Sequence, residues 1–370
     1  MAGIRGESNL IVYAIIAIVV IIAMNSFNDY RKKFASPALI PESINLLEIA
    51  RGHVELAEAS QSETMLWGRV GGSEAERESA RLLAMQLSPW VNVRPPEPVE
   101  FEAYRPQHWT LSTTNGISLS SAMPAPFDAK FPISTVAPIH HITQDSDWDA
   151  ARGKWAFIEA DMPYAPSATS VRQDLLYQKA IDHGAAGFLF SLPHPEGDWK
   201  TVVPVDKPFT KRDTFFPDHI RPIPSFCISS DDAKLLLQSL ESETALTSTI
   251  EYHPETSQKA LNTIAKLNND SDKTVLIAAH LDSFFSGAVD DASGIAVLVG
   301  LAHALANMPE ESRKTNFIFA GIAAHHDEGA GIRAFVAEEP DRLDSIETFI
   351  LLEHLDAHHG NDAGKTDWPE

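Results

Sequence analysis

The run Thr274 to Gly294, TVLIAAHLDSFFSGAVDDASG, restricts the fold of this chain more than any other stretch. Thr274 to Ala279 is β-branched and apolar, which reads as a buried strand. His280 ends it and Asp282 follows two residues later, before a glycine-bearing loop delivers the pair Asp290 and Asp291. A helix is predicted from Ser293, with Ile295, Leu298, Leu301, Ala302 and Leu305 along one face. An imidazole and several carboxylates thus meet where the carboxyl end of a strand approaches a helix start, the usual ligand position in an α/β sheet. Zinc takes nitrogen and carboxylate oxygen ligands, and a second carboxylate can orient a ligating histidine. A His-x-Asp alone is common by chance, and Asp-Asp-Ala-Ser-Gly alone reads as a capped helix start. Ten residues apart behind one buried strand, the two together point to a metal site.

The order of strand, His-x-Asp and Gly-Ala-x-Asp-Asp-x-Ser-Gly resembles the co-catalytic zinc aminopeptidase family, metallopeptidase family 28, which includes glutamate carboxypeptidase and the transferrin receptor. The resemblance implies His280 as a ligand of one zinc, Asp290 as the bridging carboxylate and Asp282 as the group behind His280. It implies two zinc ions and hydrolysis of peptide bonds by an exopeptidase, of the aminopeptidase type.

A second predicted strand, Asn316 to Ala320, precedes AHHDEGAGIRAF. Family members carry two glutamates here, a general base and a metal ligand. Aligned without gaps, those positions fall on His325 and His326. Imidazole suits zinc, so His326 can fill the ligand position. His325 keeps a proton acceptor at the base position. Asp327 and Glu328 are the alternative carboxylates if the loop shifts. Thr348 to Leu352 reads as another buried strand and ends at Glu353, which the resemblance makes the next metal ligand, with Asp356 in reserve. The family's fifth ligand, a histidine from a later strand, has no counterpart here, so the domain reads as incomplete. An open apolar sheet edge is then expected. Two rival functions follow: a binding module that has lost catalysis, and a glutaminyl-cyclase-like enzyme with one zinc.

Upstream, residues 36–67 are helical in pattern, and Ser73 to Leu87 is a helix that Ser73 and Glu76 can close with a capping box. Arg69, in the turn before it, reads as structural. Val91 to Tyr104 is strand material broken by prolines. From about Gly116, the series Gly-Lys-strand, helix, Gly-Ala-Ala-Gly-strand and Ile-Pro-x-x-x-Ile-Ser resembles a protease-associated domain. Its His140 and His141 read as turn or solvated residues. Thr263 to Leu267 and Thr274 to Ala279 flank a polar turn, a hairpin signal.

The expected class is therefore α/β: a truncated mixed-sheet zinc-aminopeptidase-like domain with an inserted α+β protease-associated domain and an N-terminal membrane helix. The expected divisions are an anchor at 8–28, the first part of the peptidase domain at 36–115, the protease-associated domain at 116–255 and the metal-binding part at 256–370. Leu10 to Met24 is an uncharged apolar block, short for a span, which Phe27 and Tyr30 can extend; no small-x-small cleavage site follows it. Arg31, Lys32 and Lys33 would hold the body in the cytoplasm, whereas the resemblance places it outside, and an extracytoplasmic body is expected. A net charge of -22 excludes nucleic acid as a partner. Peptide and membrane are the expected partners, with a homodimer left open. The single cysteine, Cys227, excludes an intrachain disulfide.

Overall fold

In the computed structural model, the described residues are 45–62, 64–125, 130–159, 175–191, 220–240, 244–338 and 343–353. The expected anchor at 8–28 lies outside them, as do Asp356 and the residues after it. The chain begins with helices α1 (Leu46–Ala59) and α2 (Glu74–Leu87), then the short strands β1 (Asn92–Val93) and β2 (Glu97–Glu102). Ser73 caps α2 by accepting the Glu76 N–H. The reciprocal half of the expected capping box is diverted, because the Glu76 carboxylate accepts the N–H of Gly72 and leaves that of Ser73 to the Val70 carbonyl.

The middle of the chain builds one sheet. Its strands are β3 (Pro106–Thr113), β4 (Met123–Pro124), β5 (Ser134–Ile142), β6 (Trp155–Glu159), β7 (Gly187–Ser191), β8 (Ser225–Ile228) and β9 (Ala245–Tyr252), in the spatial order β3-β9-β5-β6-β7-β8-β4. Helix α3 (175–182) lies between β6 and β7 in sequence, and α4 (Ser230–Ser239) follows β8, capped by Ser229. Trp155, Phe157, Phe188, Leu189 and Phe226 form its core. Strands β5 to β8 are parallel, and β6, β7 and β8 are largely buried, which explains their apolar runs. His140 and His141 are adjacent residues of β5, so their side chains leave opposite faces of the sheet and cannot share one ion. His141 instead stands 3.4 Å from Glu159. The expectation of a turn there is corrected.

The second sheet follows from β10 (Ser257–Leu267), β11 (Thr274–His280), β12 (Asn316–Ile322) and β13 (Ile346–Leu351), with α5 (Ser293–Ala306) and α6 (Ala330–Glu338) in the connections. Its order is β1-β10-β12-β11-β13, with β2 also on β10. The expected β10–β11 hairpin does not form. β12 inserts between them, antiparallel to β10 and parallel to β11. The cause is burial: β11 is apolar on both faces, so it takes a central position and needs a helical crossover to its parallel neighbour. Ile277 and Ala279 face α2 and α5, while Leu276 and Ala278 share the other face with Phe335 of α6. Each large apolar side chain buried this way contributes roughly 1.5–3 kcal/mol.

Ala288–Ala306 is long and apolar enough to cross a membrane, yet Ile295, Leu298, Val299 and Ala302 are packed in the core beside the sheet. β13 corrects a further expectation. It is an edge strand, and Phe349, Ile350 and Leu351 are 52%, 41% and 43% exposed, although their apolar character predicted burial. Among the described residues, no strand pairs with its outer edge.

Candidate metal centre

Three parallel strands end at the same side of the second sheet, and β11 lies between the other two. The chain leaves β11 for β12 on one flank, then crosses to β13 on the other. Crevices in open α/β sheets form at such a reversal of strand order. His280 is the last residue of β11, His325 and His326 follow β12, and Glu353 follows β13. Asp290 reaches the same place from the turn Ala288–Ala292 that precedes α5, where Asp290 and Asp291 have non-helical dihedrals.

His280 is fully buried. Its Nδ1 donates to the Asp282 backbone carbonyl at 2.9 Å, which places the ring proton there and leaves Nε2 as an acceptor. The His326 ring is held in the same tautomer, because its Nδ1 lies 2.8 Å from Asp282 Oδ2. Each ring then turns its Nε2 toward one oxygen of Asp290: His280 at 2.8 Å from Oδ1, His326 at 3.5 Å from Oδ2. The His280 contact is short but lacks the alignment of a hydrogen bond. Two nitrogen lone pairs facing two carboxylate oxygens repel unless a cation or a proton lies between them. Zinc ligands about 2.0–2.1 Å from the ion stand about 3.3 Å apart in a tetrahedron; the His326 separation is near that value and the His280 separation is shorter.

The electrostatics are consistent with a cation there. Burial lowers the His280 pKa, but the carboxylates of Asp282 and Asp290 outweigh it and hold the ring well above the usual imidazole range. Burial would raise Asp282, but His326 and His280 keep it well below the usual carboxylate range. Burial pushes Asp291 up to about 7 against the opposing pull of His280.

Asp282 does not play quite the expected part. Its carboxylate is 3.6 Å from His280 Nδ1 and makes its short contacts to the other histidine loop, accepting the N–H of His325 at 2.8 Å and of His326 at 2.9 Å. It supports His280 through its backbone and His326 through its side chain, and being 1% exposed it is screened from solvent.

His325 stacks on His280, with ring centroids 4.6 Å apart and planes 17° from parallel. His280, His325 and Glu353 offer ligand atoms within 4.8 Å of one another. Nitrogen lone pairs lie in their ring planes, however, so an ion in the plane of His280 is out of the plane of His325. The stack therefore leaves His325 beside the ion position, with its Nε2 3.5 Å from Glu353 Oε1. The alternative carboxylates are committed elsewhere: Asp327 pairs with Arg105 at 2.6 Å and Glu328 lies 3.8 Å from Arg333.

Arg69 is wholly buried behind the cluster. It donates to the carbonyls of Leu281, His53 and Gly287 at 2.9, 2.9 and 3.2 Å, fixing the 281–287 loop to α1. Burial lowers its pKa to about 10, and Asp282, Asp290 and Asp291 oppose the fall. Three supporting residues had no site role in the sequence reading: Asp291, which accepts the N–H groups of His280 and Gly294; Asn262; and Glu76. Only Asp291 carried a signal, its place in the Asp-Asp-x-Ser-Gly run.

This fold is similar to that of solved aminopeptidases. Residues 262–363 match the model of peptidase family M28. A zinc aminopeptidase from Bacillus subtilis superimposes over 85% of this chain and 70% of its own, at 20% identity and a TM-score of 0.60. An aminopeptidase from Aneurinibacillus sp. strain AM-1 covers 83% and 70%, at 18% identity and 0.52. A peptidase M28 precursor from Shewanella amazonensis covers 82% and 72%, at 18% identity and 0.58. No curated protein sequence matches the chain.

Proposed function

We propose that this chain is a membrane-anchored, zinc-dependent exopeptidase that hydrolyses peptide bonds, of the aminopeptidase type. The observation that carries the proposal is the pair of imidazole Nε2 atoms facing the two oxygens of Asp290. His280, Asp290, His326 and Glu353 would hold the metal, with two ions expected from the family. Zinc held there supplies a Lewis acid for a peptide carbonyl and makes water nucleophilic near neutral pH. His325 accepts the proton of the attacking water at Nε2 and passes it to the leaving amine, with Glu353 beside it to hold the charged ring. Asp282 keeps both ligand histidines in the tautomer that exposes Nε2.

The protease-associated domain, read at 116–255, would take in every strand of the first sheet except β3 (Pro106–Thr113). Phe284 and Phe285, from the loop after Asp282, pack against the hydrophobic cluster that joins this sheet's core to Leu66 and Val70. The apolar block within 8–28 would anchor the chain, with the body outside the cytoplasm. Zinc stoichiometry and hydrolysis of aminoacyl amides test the proposal together. Bound zinc with turnover is the expected result, and a chain with neither overturns it.

A second reading has one observation in its favour: His325 stands where the family resemblance places a glutamate base. A homologue that binds zinc but hydrolyses no amide would be a binding protein on this scaffold.

A further inference from the structure

Four successive backbone N–H groups carry the two site histidines, and a buried side-chain oxygen takes each one. Asn262 Oδ1 accepts from Ala323 at 2.9 Å and Glu76 Oε1 from Ala324 at 2.7 Å. The two oxygens of Asp282 accept from His325 and His326. The acceptors come from β10, α2 and the loop after β11, so the histidine loop is held from three elements at once. Glu76 and Asn262 are 0% and 1% exposed, so water does not substitute for either.

The Glu76 contact falls at the strained point of this loop. Ala324 has φ +50°, in the left-handed region that disfavours a residue with a Cβ. That turn directs the chain out of β12 and sets the direction in which His325 and His326 leave the strand. The other oxygen of Glu76 accepts the N–H of Gly72 at 2.6 Å, so one carboxylate ties the turn before α2 to the histidine loop.

We infer that Glu76 is a positioning residue for the metal centre: it holds Ala324 in its left-handed conformation and thereby sets His325 against His280 and His326 against Asp290. This rests on the reading of the cluster as a metal centre. Both oxygens of Glu76 accept an N–H, so Glu76→Gln keeps the shape and turns an amide NH2 toward one of those donors. Glycine adopts φ above zero without penalty, so Ala324→Gly relieves the turn of its need for Glu76.

Cobalt(II) binding tests this, because its visible d–d band reports ligand geometry independently of turnover. Glu76→Gln should weaken cobalt affinity roughly 10–100-fold, the usual effect of losing an outer partner of a metal ligand, and should change the band. The double variant Glu76→Gln with Ala324→Gly should recover part of both. Wild-type affinity and band in Glu76→Gln, or no recovery in the double variant, overturns the inference. If Glu76→Gln does not fold, amide exchange on the wild-type chain decides. Protection of the Ala324 N–H equal to that of β12 supports the clamp, and exchange at the rate of an open loop overturns it. A wild-type chain that takes up no cobalt removes the metal-centre reading itself, and this inference with it.

Discussion

Asp282 and His326 meet twice: one carboxylate oxygen, Oδ2, accepts the His326 backbone N–H at 2.9 Å and lies 2.8 Å from the ring Nδ1. A single buried charge therefore fixes the position of the residue and the tautomer of its ring. Hydrogen bonds to a charged acceptor are about twice as strong as neutral ones, so this pair is a rigid point of the cluster.

Asp282→Asn replaces one of those oxygens by a donor. Zinc affinity should fall roughly 10–100-fold, read by competition with a chromophoric chelator. Unchanged affinity would remove Asp282 from the support of His326.

His280→Ala should lose at least one bound ion per chain and all amide hydrolysis, since its Nε2 is the buried nitrogen nearest Asp290. Metal analysis after dialysis against excess zinc is the measurement. A full complement of zinc in the variant would place the site elsewhere.

Arg69→Met removes four hydrogen bonds from a charged donor and leaves the Leu281, His53, Ser286 and Gly287 carbonyls without that partner. The expected loss of stability is about 3 kcal/mol or more, from urea denaturation of the metal-free chain. A loss below about 1 kcal/mol would mean that the 281–287 loop is held by other contacts.

His53 gives the fold an acid limit. Burial, and then the charge of Arg69, lower its pKa from 6.5 to about 3, against a raising contribution from Gln86. The folded ring stays neutral while the unfolded chain takes up a proton near pH 6.5, so the unfolded state binds more protons below that value. Stability is full above pH 6.5 and falls as the pH drops toward 3, by up to about 1.4 kcal/mol per unit. His53→Gln should flatten this dependence between pH 7 and 5. An equal slope in variant and wild type would show that other groups set the limit.

Much of the site was legible because the chemistry is local in sequence. His280, Asp282 and Asp290 sit around one buried strand and one helix start, and the apolar run of β11 places them at the carboxyl end of a central strand. His325 and His326, after β12, were reached only through the family resemblance, which puts two site residues at that strand end. The hairpin expected between β10 and β11 failed because strand pairing depends on which strand is buried on both faces, and a polar turn does not report that. The exposure of β13 was hidden for a related reason. Its sequence records a preference for burial, not whether a neighbour lies within reach.

The chain alone determined which donors stand at the ends of its buried strands, since apolar runs must be buried and the polar residues that end them must emerge at an edge. The tertiary structure decided which carboxylate serves which imidazole. Glu76 and Ala324 are 248 residues apart, and Asp282 and His326 are 44 apart. Such contacts are set within tenths of an ångström by how helices and strands pack, and no spacing along the chain encodes that distance.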